Sequence, residues 1–205
     1  GAHPAFKGYT VPGTPVPFPG TLCISINDEV VHGKPDRDRI LEEGDVVSID
    51  VGARFEGFYG DAAYTFPVGA ISSEREALLR VTRECLERAV SVAWDGATLG
   101  DIGHAVESWA VPRGYGVVRE YAGHGIGRKL HEAPQIPNYG TPGKGITLKK
   151  GMSLAIEPMI MTGKEAVRTL KDGWTVVTAD GSDAAHFEKT IVITGDGPEV
   201  ITPWD

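Results

Sequence analysis

The sequence predicts an α+β fold held as one catalytic-size domain over residues 1–205. Two observations lead there. Short apolar runs with strand character flank a central block whose apolar residues recur at helical spacing. A strand-plus-carboxylate unit in the first half also returns in the second, as expected of a duplicated supersecondary unit that completes one core. The length suffices for one well-buried core. A content of 41% hydrophobic and 23% charged residues is that of a soluble globular chain.

In chain order, residues 1–20 are rich in Pro and Gly and read as irregular, with Pro12 through Pro19 an extended or turn-filled loop. Val46–Val51 and Ala62–Val68 read as strands joined through the turn FEGFYGD. Ser73 and Glu76 offer a capping box to a helix with Leu78, Val81, Cys85, Ala89 and Val92 on one face. A second helix starts near Thr98, presents Leu99, Ile102, Val106 and Trp109, and stops at Pro112–Gly114. Strands are expected at Val117–Tyr121, Ser153–Ile160, Trp174–Thr178 and Glu188–Thr194.

The repeat carries chemistry. LEEGDVVSID (Leu41–Asp50) aligns without gaps to LKKGMSLAIE (Leu148–Glu157), each a charged turn with Gly followed by an apolar strand ending in an acid. Downstream, Asp61 precedes AAYTFPVG and Glu188 precedes KTIVITG, so each copy supplies a second acid at a strand opening. One strand-end acid is commonly a salt-bridge partner or a backbone hydrogen-bond acceptor. Four acids from matching positions are different, because clustered carboxylates resist joint ionisation unless cations lie among them. Two divalent ions balance four carboxylates, and oxygen ligands with one imidazole suit Mn²⁺, Fe²⁺, Co²⁺ or Zn²⁺.

His124, in AGHGIGRKLHEAP, is the candidate imidazole, since glycines on both sides remove side-chain bulk around it. His131 follows it, and His32 lies in NDEVVHGKP; alone, each is as readily a surface or core histidine. His3, His104 and His186 have no context that distinguishes them. GHGIG lacks the Lys-Ser/Thr of a phosphate loop and the GxGxxG spacing.

Other classes are disfavoured. A net charge of −8 argues against a nucleic-acid groove. No apolar run approaches the roughly 20 residues of a membrane span. Cys23 and Cys85 form no CxxC pair, which fits a reducing, cytoplasmic setting without disulfides or a thiolate zinc site. The start GAHPAFKGY has neither a signal-peptide pattern nor an initiator Met, so a processed or shortened chain is expected.

Together the segments CISINDEVVHGKP, GDVVSIDV, FYGDAAYTFPVG, VVREYAGHGIGRKLHEAPQIPNYG, LKKGMSLAIEPM and KDGWTVVTADGSDAAHFEKTIVIT resemble the type I methionine aminopeptidases over nearly the whole chain. The resemblance implies the pita-bread fold, with two pseudo-symmetric halves around a central antiparallel sheet. It implies two divalent ions held by Asp50, Asp61, His124, Glu157 and Glu188, with Asp61 and Glu188 bridging. A hydroxide shared by the ions is then expected to attack the first residue's carbonyl, with Glu157 shuttling protons. His131 is expected at the substrate carbonyl and His32 at the following amide. Phe6, Tyr9, Phe18, Cys23, Leu130 and Trp174 are expected to line a thioether pocket, where sulfur packs against aromatic faces. The implied substrate is the N-terminal Met of peptides and nascent chains with a small second residue. A transient ribosome contact and a monomeric state come with it.

Four departures stand against the family pattern. The helical lead of the family's first half does not stand before GAHPAFKGY, and part of the sheet is expected to lose packing cover without it. TVPGTPVP intervenes between Tyr9 and Phe18, where the family has a short link. Thr10 stands where a His often holds an accessory metal. The QxEHT of the family reads His186-Phe187-Glu188-Lys189-Thr190, which puts a cation beside the last ligand. The competing readings are a prolidase or aminopeptidase P, which shares the fold and ligands, and a non-catalytic binding protein with the same fold.

Overall fold

The computed structural model describes residues 1–14 and 16–204. The first half holds β1 (His3–Pro4), β2 (Cys23–Ile26), β3 (Glu29–Val31), β4 (Val46–Phe55) and β5 (Phe58–Pro67). β4 and β5 are longer than the apolar runs predict. Their ladder continues to Phe55↔Phe58 and closes on Glu56 and Gly57, with φ of 48° and 88°. Positive φ at both turn positions matches the right-handed twist of a tight hairpin. Asp50 and Asp61 consequently lie within long strands and not at their ends.

Two helices follow, α1 (Ser73–Ser91) and α2 (Leu99–Ala110). The α1 cap is one residue earlier than expected. Ser72 has extended backbone and its hydroxyl accepts from Arg75 N at 3.2 Å, whereas Ser73 is already helical. Leu78, Val81, Cys85 and Ala89 face the core as their spacing predicts. Asp101 Oδ2 accepts from both the backbone N and the hydroxyl of Thr98 at 2.7 Å, which fixes the start of α2. Pro112 ends the α-helix in a short 3₁₀ turn, Val111–Arg113, closed by Gly114 at φ 87°.

The second half contributes β6 (Gly116–Val117), β7 (Gly123–Gly125), β8 (Glu132–Ile136), β9 (Ser153–Ile156), β10 (Met159–Met161), β11 (Val167–Thr169), β12 (Val176–Thr178), β13 (Ala184–His186), β14 (Glu188–Thr194) and β15 (Gly197–Val200). Two expected strands are shorter. The Val117–Tyr121 run pairs only at its start and turns away at Arg119, whose guanidinium is held by Glu107 and Glu165 at 2.7 Å each. The Ser153–Ile160 run breaks at Glu157-Pro158, since Pro158 has no N–H to continue the ladder. β9 and β10 then enter different sheets.

A nine-stranded antiparallel sheet runs β1-β4-β5-β14-β9-β7-β8, with β2 on β4 and β15 on β14. Three-stranded sheets β13-β10-β6 and β11-β12-β3 complete the fold. The repeat is visible as two antiparallel pairs, β4–β5 and β9–β14, meeting where β5 pairs with β14. This is the α+β pita-bread arrangement. The two faces of the sheet differ. Behind β9 and β14, Leu154, Ile156, Ile191 and Ile193 pack with α1 and α2 into the main core. Behind β4 and β5 the cover is thinner, and Val51 and Phe66 are each 44% exposed. No helix among the described residues is long and apolar enough to cross a membrane.

Candidate metal centre

Strand register collects the predicted acids. Asp50 pairs with Ala63, Gly52 with Asp61, Ala63 with Glu188 and His124 with Ala155. Directly paired residues share a face of a pleated sheet, and so do residues two apart. Asp50, Asp61, His124 and Glu188 are therefore carried on the face opposite α1 and α2. Glu157 follows β9 at the break made by Pro158. Ligand atoms of Asp61, His124 and Glu188 lie within 4.8 Å of one another, and all three residues are buried. His124 Nε2 is 3.7 Å from Glu157 Oε1.

The glycines beside His124 have a steric cause. β7 is wedged between β8 and β9, and a Cβ on Gly123 would fall 2.4 Å from Ala155 O. One on Gly125 would fall 2.3 Å from Ala133 O. His124 Nδ1 lies 2.9 Å from Gly125 O, and a carbonyl only accepts. Nδ1 therefore carries the proton, leaving the Nε2 lone pair for a ligand.

The electrostatics fit a cation. Burial, reinforced by Asp61 and Glu157, holds the Asp50 carboxyl far above the carboxylate range. Burial and the Asp61 charge do the same for Glu157. Glu188 is raised by burial and by Asp61, Glu157 and Asp50. Asp61 is pushed up to about 7 by burial, against hydrogen bonds from Asp50 and the Ala62 backbone. Asp50 Oδ1, Asp61 Oδ1, Glu188 Oε1 and His186 Nε2 are buried without a hydrogen-bond partner. Orphaned buried polar atoms are uncommon and costly. All of these belong to this one cluster, where a divalent ion would give the carboxylate oxygens the partners they lack.

His186 is the site residue that sequence reading passes over. It is 2% exposed, and its Nε2 lies 3.6 Å from Glu157 Oε2 and 4.0 Å from Glu188 Oε2. It ends β13 and pairs with Met159, so its approach to Glu157 comes from the handover between two sheets, for which the sequence carries no local signal. Lys189, expected to sit by the last acid, alternates to the other face, with Nζ 4.0 Å from the Trp204 ring centroid. His3 and His104 are exposed on the surface.

A cavity of about 1020 Å³ opens over the acids. Phe6, Tyr9, Phe18, Cys23 and Trp174 line it, as do His32 and His131. Leu130 is buried in the same apolar cluster but lies behind the cavity wall. Phe18 meets Phe6 edge-on at 6.4 Å and Trp174 at 5.3 Å. Asp172 Oδ1 accepts from Trp174 N and Thr175 N at 2.9 Å, which fixes the loop carrying the indole. Val11 and Thr14 of the Pro-rich segment also reach the cavity, and Val16 O accepts from Trp174 Nε1 at 2.8 Å.

The two accessory histidines stand close by. His131 is T-shaped to His124 at 4.3 Å, and its Nδ1 lies 2.6 Å from Tyr9 Oη. Burial and the neighbouring His124 and His32 lower His131 to about 4. Burial alone lowers His32 to about 4. Both imidazoles are neutral near pH 7. His32 is also held at φ 60°, a left-handed conformation uncommon for a side-chain-bearing residue and frequent at functional sites.

Residues 6–195 match metallopeptidase family M24. Methionine aminopeptidase 1 of Bacillus subtilis (strain 168) is 50% identical over 202 residues, covering 98% of this chain and 79% of that protein. A methionine aminopeptidase crystal structure from Thermotoga maritima superposes with a TM-score of 0.94 at 51% identity, covering 99% of this chain and 79% of that one. A prolidase from Pyrococcus furiosus shares the fold at a TM-score of 0.71 and 26% identity, covering 90% of this chain and 49% of that one. The buried acid cluster thus lies in a chain that belongs to metallopeptidase family M24, on its methionine aminopeptidase branch.

Proposed function

We propose that this protein is a methionine aminopeptidase that removes the N-terminal Met from peptides and nascent chains with a small second residue. In this reading Asp50, Asp61, His124, Glu157 and Glu188 would hold two divalent ions. The observation that carries it is the group of buried, unpartnered carboxylate oxygens of Asp50, Asp61 and Glu188 on one sheet face. When bound, such ions supply Lewis-acid polarisation of a carbonyl and acidify water.

The chain's own residues supply the rest. Glu157 stands at the edge of the cluster, flanked by His124 and His186, where a carboxylate can take a proton and return it to the leaving nitrogen. His131 donates to the substrate carbonyl, and His32 meets the following amide. Phe6, Tyr9, Phe18, Cys23 and Trp174 receive the methionine side chain, with the Phe18 edge-on contacts shaping a slot for a thioether. Leu130 supports that wall from behind. The restriction to a small second residue rests on the family resemblance. Residues 1–205 act as one catalytic unit, a cytoplasmic monomer with at most passing contact with the ribosome.

Peptides beginning Met-Ala, Met-Leu and Xaa-Pro, assayed with Mn²⁺, Fe²⁺, Co²⁺ and Zn²⁺, test this. Release of Met from Met-Ala peptides with little cleavage of the others is expected. Preferential Xaa-Pro cleavage would move the protein to the prolidase side. Inactivity with every ion would favour a binding protein.

A further inference from the structure

We propose that Tyr9 is a positioning residue whose phenol fixes the tautomer of His131, so that His131 offers an Nε2–H donor to the cavity. The proposal rests on the role given to His131 above. Tyr9 Oη and His131 Nδ1 are 2.6 Å apart although the residues are 122 positions apart in sequence. A phenol is the stronger donor of the two groups, and an unprotonated imidazole nitrogen is a far better acceptor than a phenol oxygen. The proton in this bond therefore belongs to the phenol. A neutral imidazole that accepts at Nδ1 must carry its own proton on Nε2. The opposite tautomer would present a bare Nε2, which repels a substrate carbonyl where this one binds it.

The backbone keeps Tyr9 in place. Its N donates to Phe6 O at 2.9 Å, its O accepts from Phe18 N at 2.8 Å, and Gly8 N donates to Phe18 O at 2.8 Å. These bonds close the neck of the Pro-rich loop, and the indole of Trp174 ties the loop itself at Val16 O. The segment that sets this chain apart from its family pattern is thereby anchored at the residue that orients His131. The ring of Tyr9 also packs on the Phe6, Phe18 and Trp174 cluster, so Tyr9→Phe removes the hydroxyl and keeps the packing.

The test reads the tautomer directly. In zinc-loaded protein labelled with ¹⁵N-histidine, and again without metal, long-range ¹⁵N–¹H correlations should show His131 unprotonated at Nδ1 and protonated at Nε2. Tyr9→Phe should convert this to a mixture of tautomers. On a Met-Ala peptide, Tyr9→Phe should lower kcat about tenfold, the equivalent of one hydrogen bond, with KM moved far less. In a His131→Ala background the same change should cost nothing further. A proton on Nδ1 in the parent, an unchanged tautomer in Tyr9→Phe, or multiplying losses in the double variant would each overturn the proposal. A parent that never cleaves Met-Ala peptides would sink the functional reading instead, and the tautomer spectra alone would then decide the role of Tyr9.

Discussion

In metal-free protein, Asp61→Asn should be more stable than the parent, by a margin that widens as the pH rises from 4.5 to 7.5. Asp61 has its carboxyl raised from 3.8 to about 7 when folded. Between those values the folded state holds a proton that the unfolded chain has released, so stability is fully present below 3.8, falls as the pH rises from there, and reaches its full loss just above the folded value. That shift corresponds to about 4 kcal/mol, or roughly 8–16 °C in Tm for a domain of this size. His32, His131 and His186 are lowered by burial to about 4, 4 and 3, and act in the opposite sense. Their contribution grows as pH rises toward the free-imidazole value and is complete above it; it is common to the parent and Asp61→Asn, so the difference between the two isolates Asp61. Urea midpoints of both chelator-treated proteins at pH 4.5, 6.0 and 7.5 provide the assay. Asp61→Asn should exceed the parent by up to about 4 kcal/mol at the high end and gain little on adding Mn²⁺. A margin that stays flat over this range would refute the reasoning, as would an Asp61→Asn variant less stable than the parent at pH 7.5.

Three further outcomes follow from the same geometry. Glu157→Gln should retain most bound metal but lose at least about a hundredfold in kcat, measured by turnover beside metal content. His186→Leu should weaken metal binding about tenfold by calorimetry, while His186→Gln, which keeps a polar group near Glu157 and Glu188, should recover much of it. Trp174→Ala removes a side chain only 6% exposed from the cavity wall, so KM for Met-Ala peptides should rise more than kcat falls. A chemical melt of the same variant should show a loss of about 3–5 kcal/mol.

The acids were legible because the repeat shows them twice and because strand periodicity has only two faces. Asp50 and Glu157 could be matched as letters in aligned segments, and the observed registers then carry Asp61, His124 and Glu188 to the same face as Asp50. What the letters concealed is long-range. Nothing near His186 shows that β13 hands over to β14 beside Glu157, so its burial depends on pairing with Met159 across the sheet. Lys189 looked adjacent to Glu188 in sequence but belongs to the opposite face. Arg119 bent an apolar run that reads as a strand, because Glu107 and Glu165 lie 12 and 46 positions away. Helix boundaries were readable to within one residue at Ser72 because capping is local.

If the buried acids on one sheet face hold the metal that methionine release requires, metal binding and turnover should rise together. Metal-free protein should be titrated with Mn²⁺ while bound ions are counted and Met release from a Met-Ala peptide is followed. Turnover should be absent without metal, appear as ions bind, and level off at two per chain. Full activity in the chelated protein, or two tightly bound ions without turnover, would contradict it.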